Sequence, residues 1–166
     1  DLLSMTLNVG YAVSSMLLIS VFVLTLLTQL SSKTYNPVLY WLVILSTSTA
    51  GTTLSDFMDR TLGLGYATGS LILVSILVAI FALWKWSGES LNVNQVQSRR
   101  GEMFYWMAIL FSNTLGTALG DYLADDSGLG FAGGALFIGA IIGVVVLARY
   151  FSKISPVVLF WVAFVL

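Results

Sequence analysis

Apolar residues run along this chain in long unbroken stretches: Tyr11 to Leu30, Val38 to Leu54, Tyr66 to Trp86, Met103 to Gly120 and Phe131 to Phe151, with a shorter one from Pro156 to Leu166. About 20 apolar residues cross roughly 30 Å of hydrocarbon as a helix, and a helix satisfies its own backbone hydrogen bonds in lipid. A membrane barrel would instead show short segments alternating apolar and polar. The pattern predicts an all-α, polytopic transmembrane helix bundle with five spans and part of a sixth.

The same pattern repeats. Residues 40 to 69 read YWLVILSTSTAGTTLSDFMDRTLGLGYATG, and residues 105 to 134 read YWMAILFSNTLGTALGDYLADDSGLGFAGG, aligned without a gap at an offset of 65. The opening DLLSMTLNVGYAVSS aligns on the stretch beginning at Asp56, and PVVLFW near the other end resembles PVLYW at Pro37. The repeat units are therefore about 1–36 (partial), 37–101, 102–155 and 156–166 (partial), within a single transmembrane domain. The expectation is a chain truncated at both ends, cut from a longer protein with at least four helical hairpins. Each unit holds two spans, an even number, so successive copies enter the membrane in the same direction. The repeats are parallel helix hairpins, unlike the inverted repeats of many transporters.

Composition sharpens this picture. The chain is 58% hydrophobic and only 9% charged, against roughly 25% charged in an ordinary soluble domain. A soluble enzyme and a nucleic-acid binder are excluded, and the partner implied is the lipid bilayer, with self-association possible. Without His or Cys there is no imidazole base, thiolate or soft-metal site. The dipeptide Gly120-Asp121 is too slight to argue for an aspartyl enzyme, so no enzymatic activity is expected. Of the seven basic residues, Lys33, Lys85, Arg99, Arg100, Arg149 and Lys153 fall in connections on one side, and Arg60 alone falls on the other. Positive residues mark the cytoplasmic side, which places the acidic turns with Asp1, Asp56, Asp59, Asp121, Asp125 and Asp126 outside. Ser87 to Glu102 reads as a polar cytoplasmic linker.

Two motifs recur in each unit. In the turn, Gly63 and Gly128 share a position with Asn8, as expected of a left-handed turn residue. Two residues on, Gly10, Gly65 and Gly130 recur, with Ser14, Gly69 and Gly134 four positions later; small-xxx-small spacing lets helices approach closely, so these glycines are expected to pack helices. Before the turn, Thr49, Thr52 and Asp56 lie within about 60° of one another on a helix, and Thr114, Thr117 and Asp121 repeat the stripe, each about 10 Å long. Asp1 occupies the same position in the first, partial copy.

A carboxylate near hydrocarbon is costly and usually faces protein or water. Asp1, Asp56 and Asp121 are therefore the candidate ion- or proton-binding residues, with Thr49, Thr52, Thr114 and Thr117 lining the pathway. Carboxylate and hydroxyl oxygens suit a hard cation, Mg²⁺, Ca²⁺ or Mn²⁺, bound by Asp56 and Asp121 or transported past them, or else a proton. No cofactor is otherwise indicated. The leading function is transport or permeation of a small cation. The alternative is a non-transporting structural or assembly protein whose Asp and Gly motifs only cap and pack helices.

The segment TTLSDFMDRTLGLGYATGSL and its echo TALGDYLADDSGLGFAGGAL resemble an uncharacterised family of bacterial multi-pass inner-membrane proteins, often labelled only as membrane-anchored. The resemblance covers essentially the whole chain. It implies a bacterial cytoplasmic-membrane location and a parent of about four hairpin repeats, and it brings no activity or binding residues.

Overall fold

A computed structural model describes residues 10–32, 34, 36–93 and 98–166 of the chain. Among the described residues six α-helices follow one another: α1 (Tyr11–Ser31), α2 (Pro37–Asp56), α3 (Tyr66–Trp86), α4 (Arg99–Asp121), α5 (Gly130–Phe151) and α6 (Pro156–Val165). Among the described residues there is no strand. Local chemistry starts two of these helices. The Asn36 side chain accepts from the backbone N–H groups of Val38 and Leu39, with Pro37 opening α2, and Ser98 accepts from Gly101 N–H at the start of α4. A side-chain oxygen before the first turn satisfies donors that no helical carbonyl can reach, and Pro is tolerated where its missing N–H is not needed.

α1, α2 with the turn that follows it, α3 and α5 are long and apolar enough to cross a membrane. The expected span Met103 to Gly120 lies in α4, which is long enough at 23 residues but is not among these four. Its place in the bundle explains its polarity. α4 packs against α1, α2, α3 and α6, and Ser112 and Thr114 are buried on it. A helix surrounded by protein can carry hydroxyls that a lipid-facing helix of the same length cannot carry cheaply.

The helices pair across repeats. α1 packs on α2, α3 on α4 and α5 on α6, so the second helix of each unit lies on the first helix of the next. The first helices also pack on one another, α2 on α4 and α4 on α6. Between α2 and α4, a Cβ at Gly51 would lie 2.9 Å from Asn113 Cβ and 3.0 Å from Thr114 N. Repeat-equivalent residues meet there at matching heights: the Tyr40 and Tyr105 hydroxyls are 3.1 Å apart, and the Thr52 and Thr117 hydroxyls are 3.4 Å apart. Contact between i and i+65 at two levels is what parallel repeats side by side produce.

Lipid tails are as apolar as Leu, so close van der Waals packing and interhelical hydrogen bonds carry the association of these helices. Ser15 Oγ donates to Thr53 O at 2.7 Å, and Thr25 and Ser46 share a hydrogen bond of 2.9 Å, both joining α1 to α2. At the end of the bundle that carries Arg99 and Arg100, Gln29 Nε2 and Trp106 Nε1 both donate to Glu102 Oε1. Trp84, Trp106 and Trp161 are buried in the aromatic cluster at that end.

Candidate functional site

At the opposite end the backbone repeats its irregularities. α2 runs on into a π-helical turn, Phe57–Thr61, and α4 into another, Tyr122–Asp126. Each is followed by a pair of left-handed glycines, Gly63 and Gly65 in one repeat, Gly128 and Gly130 in the other, with φ between 66° and 78°. A π-turn widens the helix and re-aims the side chains that follow it, and such turns are frequent at functional sites. Here they present acidic residues.

In the first full repeat the acids are buried. Asp56 and Asp59 are 5% and 7% exposed. Arg60 lies one turn beyond Asp56, its Nε 3.4 Å from Asp56 Oδ1. The guanidinium also donates to the Tyr11 hydroxyl at 3.4 Å and stands over the Tyr11 ring, 5.8 Å from its centroid. Asp59 Oδ2 accepts from Ser55 Oγ at 3.3 Å, whereas its Oδ1 is buried with no hydrogen-bond partner among the described residues. That oxygen lies against Gly69 of α3, where a Cβ would collide with it. Asp121, half-buried at the end of α4, is within electrostatic reach of Arg60, Asp56 and Asp59. Asp56, Asp59 and Asp121 thus lie at one end of the bundle, and Asp56 pairs directly with Arg60. Asp125 and Asp126 are exposed beyond them.

Two of the three expected acids are therefore brought together, and Asp1 lies outside the described residues. Asp59 joins them without having been singled out, because the second repeat has Ala124 in its place and a reading built on repetition passes over it. The signal available was its spacing, four residues after Ser55 and three after Asp56, which puts all three on neighbouring positions of one helix surface. Arg60 faces Asp125 in the alignment, so the cation too belongs to one repeat only. Among the described residues no three acids are arranged to hold a metal ion. Asp56, expected with Asp121 as a metal ligand, is paired with Arg60.

The threonines divide. Thr52 and Thr117 meet, Thr49 is exposed, and Thr114 is fully buried beside Gly51. All four hydroxyls donate to the carbonyl four residues back, of Leu45, Ser48, Leu110 and Asn113. A common polar lining is thus limited to Thr52 and Thr117.

The glycines divide as well, and here the expectation is corrected. Gly10, Gly65 and Gly130 have φ of 82°, 73° and 66° with open space around the position of a Cβ. They turn the chain into α1, α3 and α5, a left-handed conformation that L side chains avoid, and do not pack helices. Gly69 and Gly134 do: each second helix lies there against the π-turn region before it, on Asp59 and on Leu123 respectively, with Leu123 Cβ 3.1 Å from a Cβ at Gly134. The left-handed turns expected at Gly63 and Gly128 are present, and Asn8 lies outside the described residues.

Tandem helical repeats with four spans long and apolar enough for a bilayer make this a multi-pass membrane protein built from internal repeats. The family described as Repeat of Unknown Function (DUF347) matches residues 39–90 and 104–155, together more than half of the chain. The chain belongs to that family. No curated protein and no solved structure matches it.

Proposed function

We propose that the protein is a carrier in a bacterial cytoplasmic membrane, with its Lys and Arg connections cytoplasmic and its Asp turns outside, that moves a small cation by loading the Asp56, Asp59 and Asp121 cluster. The observation behind this reading is the buried Oδ1 of Asp59, without a hydrogen-bond partner among the described residues, at the end of the bundle where Asp56 pairs with Arg60. A buried carboxylate oxygen without a donor is costly, and a proton or a bound cation would offset it. With one cationic side chain already inside the cluster and no three-acid metal arrangement among the described residues, the proton is the better-fitting species. Mg²⁺, Ca²⁺ and Mn²⁺ remain the metal ions to compare with it. Thr52 and Thr117 flank the approach from the membrane interior.

A second reading has its own observation. The Asp56–Arg60 pair, held under Tyr11, ties α2 to α1, and the threonine hydroxyls are satisfied within their own helices. Both suit a structural or assembly protein whose motifs cap and pack. Proteoliposomes separate the two. With an imposed pH gradient and an internal pH dye, the carrier should dissipate the gradient, and Asp59→Asn should slow this at least tenfold while leaving the melting temperature within a few degrees. A rate equal to that of protein-free vesicles, or an Asp59→Asn protein that transports normally, would discard the carrier reading or its site.

A further inference from the structure

α4 carries an acid at each end. Asp121 closes it at the π-turn and Glu102 lies in its first turn, about 29 Å away along the helix axis and close to the thickness of the hydrocarbon layer. Asp121 belongs to the cluster described above, whereas Glu102 has surroundings of its own.

Glu102 is half-buried and makes no ion pair among the described residues. Its Oε1 accepts from Gln29 Nε2 of α1 at 3.1 Å and from Trp106 Nε1, one turn along α4, at 3.4 Å. Both donors are neutral. The basic side chains described at this end, Lys85, Arg99, Arg100, Arg149 and Lys153, are all exposed, and Lys33 lies outside the described residues. α1, α2 and α6 bring no charged side chain to this end, and Glu89, in the connection after α3, is the other acid there. Tyr40 of α2, in ring contact with Trp106, and Tyr105 of α4 are the titratable hydroxyls nearby, and they bond to each other.

Half of the Gln29 amide is unused. Its Oε1 is buried with no hydrogen-bond partner among the described residues, and a buried acceptor left without a donor is costly. A primary amide holds a donor and an acceptor side by side, while an ionised carboxylate only accepts. An ionised Glu102 therefore satisfies the donor alone, and turning the amide over would set oxygen against oxygen. A carboxylic acid matches the amide on both sides, amide N–H to acid carbonyl and acid O–H to amide oxygen.

We propose that Glu102 is a second proton-binding site, in which a proton from the aqueous phase at the Arg99 end adds to Oε2 and the new O–H donates to Gln29 Oε1. Two parallel hydrogen bonds then join α1 to α4 in place of one, and Trp106 keeps its bond to Oε1. The site gives the carrier a group that exchanges protons with the aqueous phase opposite the Asp cluster. That role rests on the carrier reading; the proton site itself does not.

Infrared difference spectra of the protein in lipid vesicles, recorded as the pH is lowered with glutamine side-chain carbonyls isotopically labelled, test the site without any transport. The expected result is a protonated-carboxyl band that Glu102→Gln removes. As it appears, the Gln29 amide band, identified by its loss in Gln29→Leu, moves to lower frequency because its oxygen gains a donor. Gln29→Met identifies the band should Gln29→Leu fail to insert. A Gln29 band that stays in place while Glu102 protonates would overturn the proposal, as would the absence of any carboxyl band removed by Glu102→Gln. Glu102→Gln supplies the donor permanently, so it should melt no lower than the parent protein in detergent; a fall of more than a few degrees would show that the site holds a charge, which also overturns it. In proteoliposomes under a pH gradient, Glu102→Gln should slow proton flux at least tenfold. Parent protein without flux would discard the carrier reading and leave the spectra to decide the site, whereas parent flux that Glu102→Gln leaves unchanged would remove Glu102 from the transport path.

Discussion

Gly69 and Gly120 show how one residue type does opposite work in neighbouring repeats. At Gly69 a methyl group would enter the space of the Asp59 carboxylate, while at Gly120 it would meet nothing. Gly69→Ala is expected to lower stability by about 1–3 kcal/mol, the usual range for overpacking a filled site, and to displace Asp59 from Ser55. Gly120→Ala, in the interior of a helix, is expected to raise stability by about 0.5–1 kcal/mol by removing glycine's excess freedom in the unfolded chain. Thermal unfolding in detergent of the two variants beside the parent protein checks both signs at once. A Gly69→Ala protein as stable as the parent would mean that Asp59 is not held against α3. Asp59 was itself hard to find in the sequence, because repetition was the guide and this residue is not repeated.

Among the elements, the start of α2 is the one fixed most locally. Asn36 supplies the oxygen that satisfies two N–H groups and Pro37 sets the first helical φ, so the boundary is written in two adjacent residues. Asn36→Ala is expected to cost about 1 kcal/mol, typical of losing such a cap, and to increase hydrogen exchange at Val38 and Leu39 without change at the far end of α2. Protection lost along the whole helix would show that α2 depends on its cap for more than its first turn. The apolar stretches located the helices well: Tyr11, Tyr66 and Pro156 begin helices where the sequence places them. What was not legible is the pair of π-turns. Hydropathy and helical spacing look the same whether the last turn closes on the fourth or the fifth residue back, and the acidic side chains depend on that difference for their direction.

In the whole molecule, the pairing of helices follows from where small residues fall. Gly51 lets α2 and α4 approach until only a hydrogen fits where a Cβ would meet Asn113 and Thr114, and this close approach keeps Tyr40 beside Tyr105 and Thr52 beside Thr117. Gly51→Val is expected to separate the two helices, breaking both hydroxyl contacts and costing about 1–3 kcal/mol. A distance between spin labels at Leu42 and Met107, exposed positions on the two helices, should lengthen by a few ångströms. An unchanged distance with unchanged stability would place the contact between the first helices elsewhere.

The sequence by itself determined the helical class, the positions of the membrane-length helices, the parallel repeat and its offset, and the segregation of acidic from basic ends. These follow from hydropathy, length and self-similarity, which are properties of the chain read in order. The tertiary structure decided which helices touch, and it paired the second helix of each unit with the first helix of the next rather than with its own hairpin partner. It also decided which acids converge, drew Asp59 and Arg60 into the cluster, and separated turn glycines from packing ones. Each of these depends on neighbours brought from another repeat, and a residue's own sequence surroundings do not say which neighbour it will meet.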